Sequence, residues 1–271
     1  MRESWDGLSA SLDLGAVSFL KERSDRWDEE EFFLIGERFV KRMVTRFVDY
    51  EPTALLRCKS ILEIGCGAGR FLKPLSTRFK RVVGVDISEE MLKRAHHLLS
   101  GCDNVELRIN NGLDLSDFED DSFDYCICAG VLQHITSTEV IKNYIREALR
   151  ILKPTGMFLF QFRAYEKEQI TKAVGIGARL TAKDLDQALY SDNFRVLEIS
   201  NDPIDPDATL VVVIQKVSSG ESVPDSKRLF SQQRIIHKPW LSGVYNGITV
   251  AVTARQLQPG EKARRIAFFD I

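Results

Sequence analysis

The stretch that decides the fold is ILEIGCGAGR (Ile61–Arg70), followed about 20 residues on by VVGVDIS (Val82–Ser88). The first is a short apolar run that ends in Glu63 and passes through Gly65, Gly67 and Gly69 into a helical pattern. Glycines in such a turn allow tight backbone bends and let a ligand approach main-chain amides at a helix N-terminus. The spacing is GxGxG, with Arg70 where the dinucleotide fingerprint carries its last glycine, which argues against a nicotinamide cofactor. Asp86 closes the second run, where a carboxylate can accept hydrogen bonds from both hydroxyls of a ribose. Ser88, ahead of Glu89 and Glu90, is the expected N-cap of the helix that follows.

Outward from this stretch, short apolar runs alternate with helical ones: SILEIG, RFLKPLSTRF, VVGVDI, EEMLKRAHHLL, VELRIN, FDYCICAGVL, TEVIKNYIREALRIL and GMFLFQF. Parallel neighbours need crossover helices, so this alternation predicts a doubly wound α/β domain with a mostly parallel sheet. Thr181 and Asp184 form a capping-box pattern before AKDLDQALY. Two further strand patterns, FRVLEIS and ATLVVVIQK, are joined by about eight residues, too few for a helical crossover. They should be antiparallel, giving seven strands with the last one reversed.

The domain boundaries fall at 1–58 (an N-terminal helical cap), 59–216 (the α/β domain) and 217–271 (a linker and small β extension). In the cap, apolar residues from Phe32 to Val48 recur at helical steps behind Asp28, Glu29, Glu30 and Glu31, which favour the positive end of a helix dipole. A weaker helical stretch runs from about Leu8 to Lys21. VSSGESVPDSK (Val217–Lys227) reads as a linker, and ITVAVTAR with ARRIAFF as strands beyond it. From Val217 onward the chain carries eight Lys or Arg against four Asp or Glu, so this part is +4 and the remainder −6. Too small to hold a core alone, the extension should pack on the main domain or join two copies in a homodimer.

With 271 residues, 44% apolar, and a net charge of −2, the composition is that of a globular protein without a global field to gather nucleic acid. No apolar run approaches the roughly 20 residues that span a bilayer, and the N-terminus lacks the pattern of a secretory signal, so a cytoplasmic location and no membrane partner are expected. The five cysteines form no paired CxxC hooks; reduced thiols are expected, and no metal site.

LEIGCGAGR, VVGVDIS, NNGLDL, SFDYCICAGVLQH and LRILKPTGMF together resemble, in order and spacing, the class I S-adenosylmethionine-dependent methyltransferases, over roughly residues 29–216. The resemblance implies S-adenosylmethionine as cofactor. Gly65, Cys66 and Gly67 would then contact its methionine end, with Glu63 beneath them and Arg70 near the carboxylate. Asp86 would bind the ribose and Ile87 pack on adenine. The family usually carries Gly-Asp-Ala after the third strand, the Asp meeting the adenine amine. Asn110, Asn111 and Gly112 stand there in this chain, and Asn111 is expected to accept from that amine instead. Gly112 and Leu113 would cover the ring edge, and Cys128, Ala129 and Gly130 would offer carbonyls to the methionine ammonium.

The acceptor is less legible. His134 is the candidate base, with packing or hydrogen bonding as its other reading; Gln133 beside it, and Arg163 and Tyr165 beyond the fifth strand, are candidate substrate contacts. The Asn/Asp-Pro-Pro-Tyr motif of amino-methylating nucleic-acid enzymes is absent from the fourth strand, and nucleic acid is a disfavoured partner. A small-molecule acceptor is expected; a protein or glycan acceptor, or binding of the cofactor without catalysis, are the alternatives.

Overall fold

The computed structural model describes residues 28–48, 53–163, 178, 180–189, 193–201 and 209–223. The N-terminal stretch around Leu8–Lys21, Tyr165 and the strands of the C-terminal extension lie outside them. The elements are α1 (Glu29–Val48), a 3-10 segment (Thr53–Cys58), β1 (Ser60–Ile64), α2 (Leu72–Ser76), β2 (Arg81–Asp86), α3 (Glu89–Leu98), β3 (Val105–Ile109), β4 (Phe123–Cys128), α4 (Thr138–Ile151), β5 (Leu152–Arg163), α5 (Ala182–Ala188), β6 (Phe194–Asn201) and β7 (Thr209–Lys216).

The seven strands form one sheet in the order β3-β2-β1-β4-β5-β7-β6. Pairing from β3 through β5 is parallel, and β7 runs antiparallel to both β5 and β6. Strand order reverses direction between β1 and β4, and open α/β sheets bind ligands outside the carboxyl ends of the strands at such a point.

Side chains alternate across the sheet, which divides the core in two. Ile61, Val82, Tyr125, Ile127 and Leu159 face α1, α2 and α3, meeting Val40, Phe47, Leu72, Leu75 and Ala95. Leu62, Val83, Cys126, Cys128 and Phe160 face α4 and α5, meeting Ile141, Tyr144, Ile145, Leu149 and Leu185. Cys126 and Cys128 share one face, as period-two geometry requires, and burial pushes both thiols up.

Caps explain several helix starts. Ser88 Oγ accepts from the Met91 amide at α3, Ser137 caps α4, and Thr181 with Asp184 forms the expected capping box at α5. By contrast, α2 has no side-chain cap and covers only Leu72–Ser76, shorter than the run RFLKPLSTRF suggests. The β4 pattern also ends early, at Cys128, because Leu132–His134 turns into a 3-10 helix. The residues after β7 stay with the domain as far as Val223: Val217 and Val223 are buried, and Arg195 pairs with Glu221.

Asp124, the second residue of β4, lies at the amino edge of the sheet, opposite the carboxyl ends of the parallel strands. Its Oδ2 accepts from the Ser60 amide and hydroxyl and from Lys153, each at 2.9 Å, so it ties β1 to the start of β5. Burial would raise its carboxyl, but the Ser60 and Lys153 donors hold it below the ordinary value. A depressed folded-state value stabilises the fold above the unfolded carboxylate range, and that stabilisation is lost as pH falls through the folded-state value. Asp124→Asn should therefore lower the unfolding free energy near neutral pH by about 1–3 kcal/mol. The gap between native and variant urea midpoints should close as the titration is repeated toward pH 3.

Candidate functional site

The glycine turn is stitched to the end of β2. Gly65 and Cys66 both donate to the Val85 carbonyl, at 2.7 and 3.0 Å, and Asn110 donates to the Asp86 carbonyl at 2.8 Å. Gly65, Gly67 and Gly69 have φ of 72°, 51° and 86°, the left-handed region that side chains disfavour. At Gly65 a second reason applies: a Cβ there would lie 2.3 Å from Val131 Cγ2, across the gap between β1 and β4. Asp86 ties the turn together, its Oδ2 accepting from the Gly67 amide at 2.8 Å and its Oδ1 from the Ser88 amide at 2.9 Å.

Beneath this turn Glu63 is 3% exposed, and its Oε2 finds no hydrogen-bond partner among the described residues; the same holds for the Nε of Arg70. Burial raises the Glu63 carboxyl well above its usual range, with Arg70 opposing and Asp86 reinforcing the shift. Burial likewise brings the Arg70 guanidinium down to about 10. Cys66 is buried, its thiol pushed up by desolvation, and it fills space that an added Cβ on Gly84 would claim.

The loop after β3 forms the next wall. Gly112 lies against Ile87, whose Cγ2 would be 3.3 Å from a Cβ on that glycine. Leu113 is 56% exposed. Asn110 is buried, its Oδ1 accepting from the Tyr144 hydroxyl and the Gly112 amide. Asn111 is exposed and its carboxamide is spent inside the loop: Oδ1 accepts from the Leu113 and Asp114 amides, at 2.7 and 3.0 Å, and Nδ2 donates to Asp114 Oδ1 at 2.7 Å. From α4, Asn143 donates to the Leu113 carbonyl.

At the end of β4, Cys128, Ala129 and Gly130 follow one another beside the turn, and Gly130 has φ of 73°. Gln161, buried on β5, accepts from the Gly130 amide at 2.9 Å. Sequence reasoning missed Gln161 and Val131; the visible signal for Gln161 is one amide in the otherwise apolar run GMFLFQF. Replacing Gln161 with Leu should weaken ligand binding at this edge by about fivefold, the worth of roughly 1 kcal/mol. Gln161→Glu keeps an acceptor and should stay closer to native in the same titration.

Gln133 and His134 are half-buried in the 3-10 turn beyond β4, with the Gln133 Nε2 and His134 Nε2 atoms 3.4 Å apart. Arg163 is the last residue of β5. The structure thus gathers Glu63, the glycine turn, Arg70, Asp86, Ile87, the 110–113 loop and residues 128–134 at the carboxyl edge.

The N-terminal cap reaches this edge directly. Gly36 of α1 sits on the carbonyl of Arg70, where an added Cβ would lie 2.1 Å from the oxygen. Phe32 packs with Ala68 of the turn and Met91 of α3, and Phe39 stacks on Phe71 at 4.5 Å. Among the described residues no helix is long and apolar enough to cross a membrane.

Residues 62–160 match a protein family described as a methyltransferase domain. A ubiquinone biosynthesis O-methyltransferase of Hahella chejuensis is 30% identical over 154 residues, covering 55% of this chain and 61% of that protein. Its counterpart in Neisseria meningitidis is 28% identical over 156 residues, 55% of this chain and 62% of that one. The chain therefore spans about 60% of the length of these relatives. Among solved structures, the phosphoethanolamine N-methyltransferase 1 of Haemonchus contortus superposes with a TM-score of 0.61 at 16% identity, over 85% of this chain and 52% of that one. The magnesium protoporphyrin IX methyltransferase of Synechocystis gives 0.57 at 16%, over 79% and 97%. The cyclase SpnF gives 0.59 at 14%, over 80% and 96%, so the fold by itself does not fix the reaction. The glycine turn with its buried acidic residue, the carboxylate at the end of β2, the reversed β7 and the match of residues 62–160 agree: this part of the chain is similar to methyltransferase domains and shares their fold.

Proposed function

We propose that this chain transfers a methyl group from S-adenosylmethionine to a small-molecule acceptor. The observation that carries the reading is the pair of shielded, unpartnered polar atoms flanking the glycine turn, Glu63 Oε2 and Arg70 Nε. An orphaned buried acceptor and donor each cost free energy until a ligand satisfies them, and an amino-acid end, with its ammonium and carboxylate, suits both. Gly65, Cys66 and Gly67 would hold that end, with Cys128, Ala129 and Gly130 opposite them. Asp86 would take the ribose, and Ile87, Gly112 and Leu113 the purine.

When bound, S-adenosylmethionine supplies a methyl group on a positively charged sulfur, open to in-line displacement. Since that charge is lost in the transfer, alignment in a dry pocket supplies much of the rate. A hydroxyl acceptor also needs its proton removed, and His134, beyond β4, is the proposed base. Gln133, Arg163 and Tyr165 are the proposed acceptor contacts. The names of the Hahella and Neisseria relatives support a small molecule, with oxygen the first acceptor atom to test.

The test is calorimetric titration of the full chain with S-adenosylhomocysteine, then transfer of labelled methyl to a panel of phenols, carboxylates, sugars and amines. Micromolar binding with transfer to a panel member is the expected result. Binding without transfer to any small molecule would favour a macromolecular acceptor or a non-catalytic module, and a folded chain that does not bind would overturn the proposal.

A further inference from the structure

The loop NNGLDL departs from the family's usual acidic residue, and its hydrogen bonds show what the departure does. Asn111 Oδ1 has two lone pairs, and the Leu113 and Asp114 amides, which can only donate, take both. That fixes the orientation of the carboxamide and turns its Nδ2 toward Asp114. Asn110 Oδ1 is filled in the same way by the Tyr144 hydroxyl and the Gly112 amide. Asp114 Oδ1 in turn collects the Asn111 amine, the Ser116 amide and the Ser116 hydroxyl. An aspartate at position 111 would set a second carboxylate against Asp114 across the 2.7 Å now spanned by the Nδ2 donor.

We infer that the pocket does not read the 6-amino group of a purine through Asn110 or Asn111, so it accepts cofactor analogues altered at that position. Both carbonyls are committed to holding the loop, and the purine is held by the surfaces of Ile87, Gly112 and Leu113. This rests on the cofactor assignment proposed above. It also explains the residue type: position 111 is a donor toward Asp114 and has no acceptor to spare. The pair can be inverted. Exchanging the two side chains, carboxylate at position 111 and carboxamide at position 114, again sets one donor against one acceptor between them once the carboxamide turns to keep its oxygen for the Ser116 amide, and gives position 111 the extra lone pairs of a carboxylate.

The experiment titrates the full chain calorimetrically with S-adenosylhomocysteine and with its analogue carrying hydrogen in place of the 6-amino group. The native chain should bind the two within about threefold, less than the tenfold or so that a well-made hydrogen bond to the amine supplies. The Asn111→Asp, Asp114→Asn double variant should prefer the amine-bearing ligand by about tenfold. A native preference of about tenfold or more overturns the inference, as does a folded double variant with no preference. If the double variant does not fold, the native titration decides alone. Absence of binding of either ligand to the folded native chain instead overturns the cofactor assignment, and the inference with it.

Discussion

Alanine at position 86 should weaken S-adenosylhomocysteine binding by at least about a hundredfold, the equivalent of some 3 kcal/mol. Two losses combine. The ribose hydroxyls would lose the charged acceptor proposed for them, and hydrogen bonds to charged groups contribute roughly 1.5–3 kcal/mol each. The glycine turn also loses the carboxylate that receives the Gly67 amide, and α3 loses the one that receives the Ser88 amide. Asp86→Asn keeps one carbonyl acceptor but not the charge, and should fall between native and alanine. Calorimetry on the three proteins, each checked for a cooperative thermal transition, measures the series. Native-like affinity in a folded Asp86→Ala would show that the ligand lies elsewhere.

The second large effect is expected at Gly36, which is remote in sequence from every site residue. In an exposed helix, Gly→Ala stabilises by about 1 kcal/mol through backbone entropy. At Gly36 the sign should reverse, because a Cβ would stand 2.1 Å from the Arg70 carbonyl oxygen and 3.0 Å from its carbon. Neither atom is the end of a flexible side chain, so α1 or the turn must shift, and overpacking of this kind costs roughly 1–3 kcal/mol. Gly36→Ala should lower the urea midpoint and also weaken cofactor binding, since the displaced carbonyl belongs to the residue that closes the glycine turn. Gly36→Val should do more of both. A Gly36→Ala protein more stable than native would mean that α1 does not seat on the turn in solution.

How far the chain could be read from its sequence follows from the range of each interaction. Strand and helix alternation, the capping box at Thr181 and the antiparallel end of the sheet are local patterns, and each is found in the structure. The glycine turn and Asp86 were legible because their chemistry depends on residue type and short spacing. The short α2 was not, since its run holds Pro74 and lacks a capping side chain, and periodicity alone hides both. Contacts made at long range left only faint traces: one glycine within an amphipathic helix at Gly36, one amide in an apolar strand at Gln161. Nothing local in the run SFDYCIC shows that Asp124 works at the amino edge, clamping Ser60 and Lys153. The residue at 111 could be recognised as a substitution, yet its saturation by Leu113, Asp114 and the Asp114 carboxylate is visible only in three dimensions.

The placement of β7 between β5 and β6 has a consequence for synthesis. Until residues 209–216 have emerged, the twelve-residue strand β5, with Phe158, Phe160 and Phe162 along it, has no partner on its outer side. At roughly 5–20 residues per second, the fifty or so residues between the end of β5 and the end of β7 leave that edge open for several seconds. An unpaired apolar edge is a template for pairing with another chain. Nascent or truncated chains ending before Thr209 should therefore aggregate through β5, and the interval before β7 docks is where a holding chaperone would have its largest effect on yield.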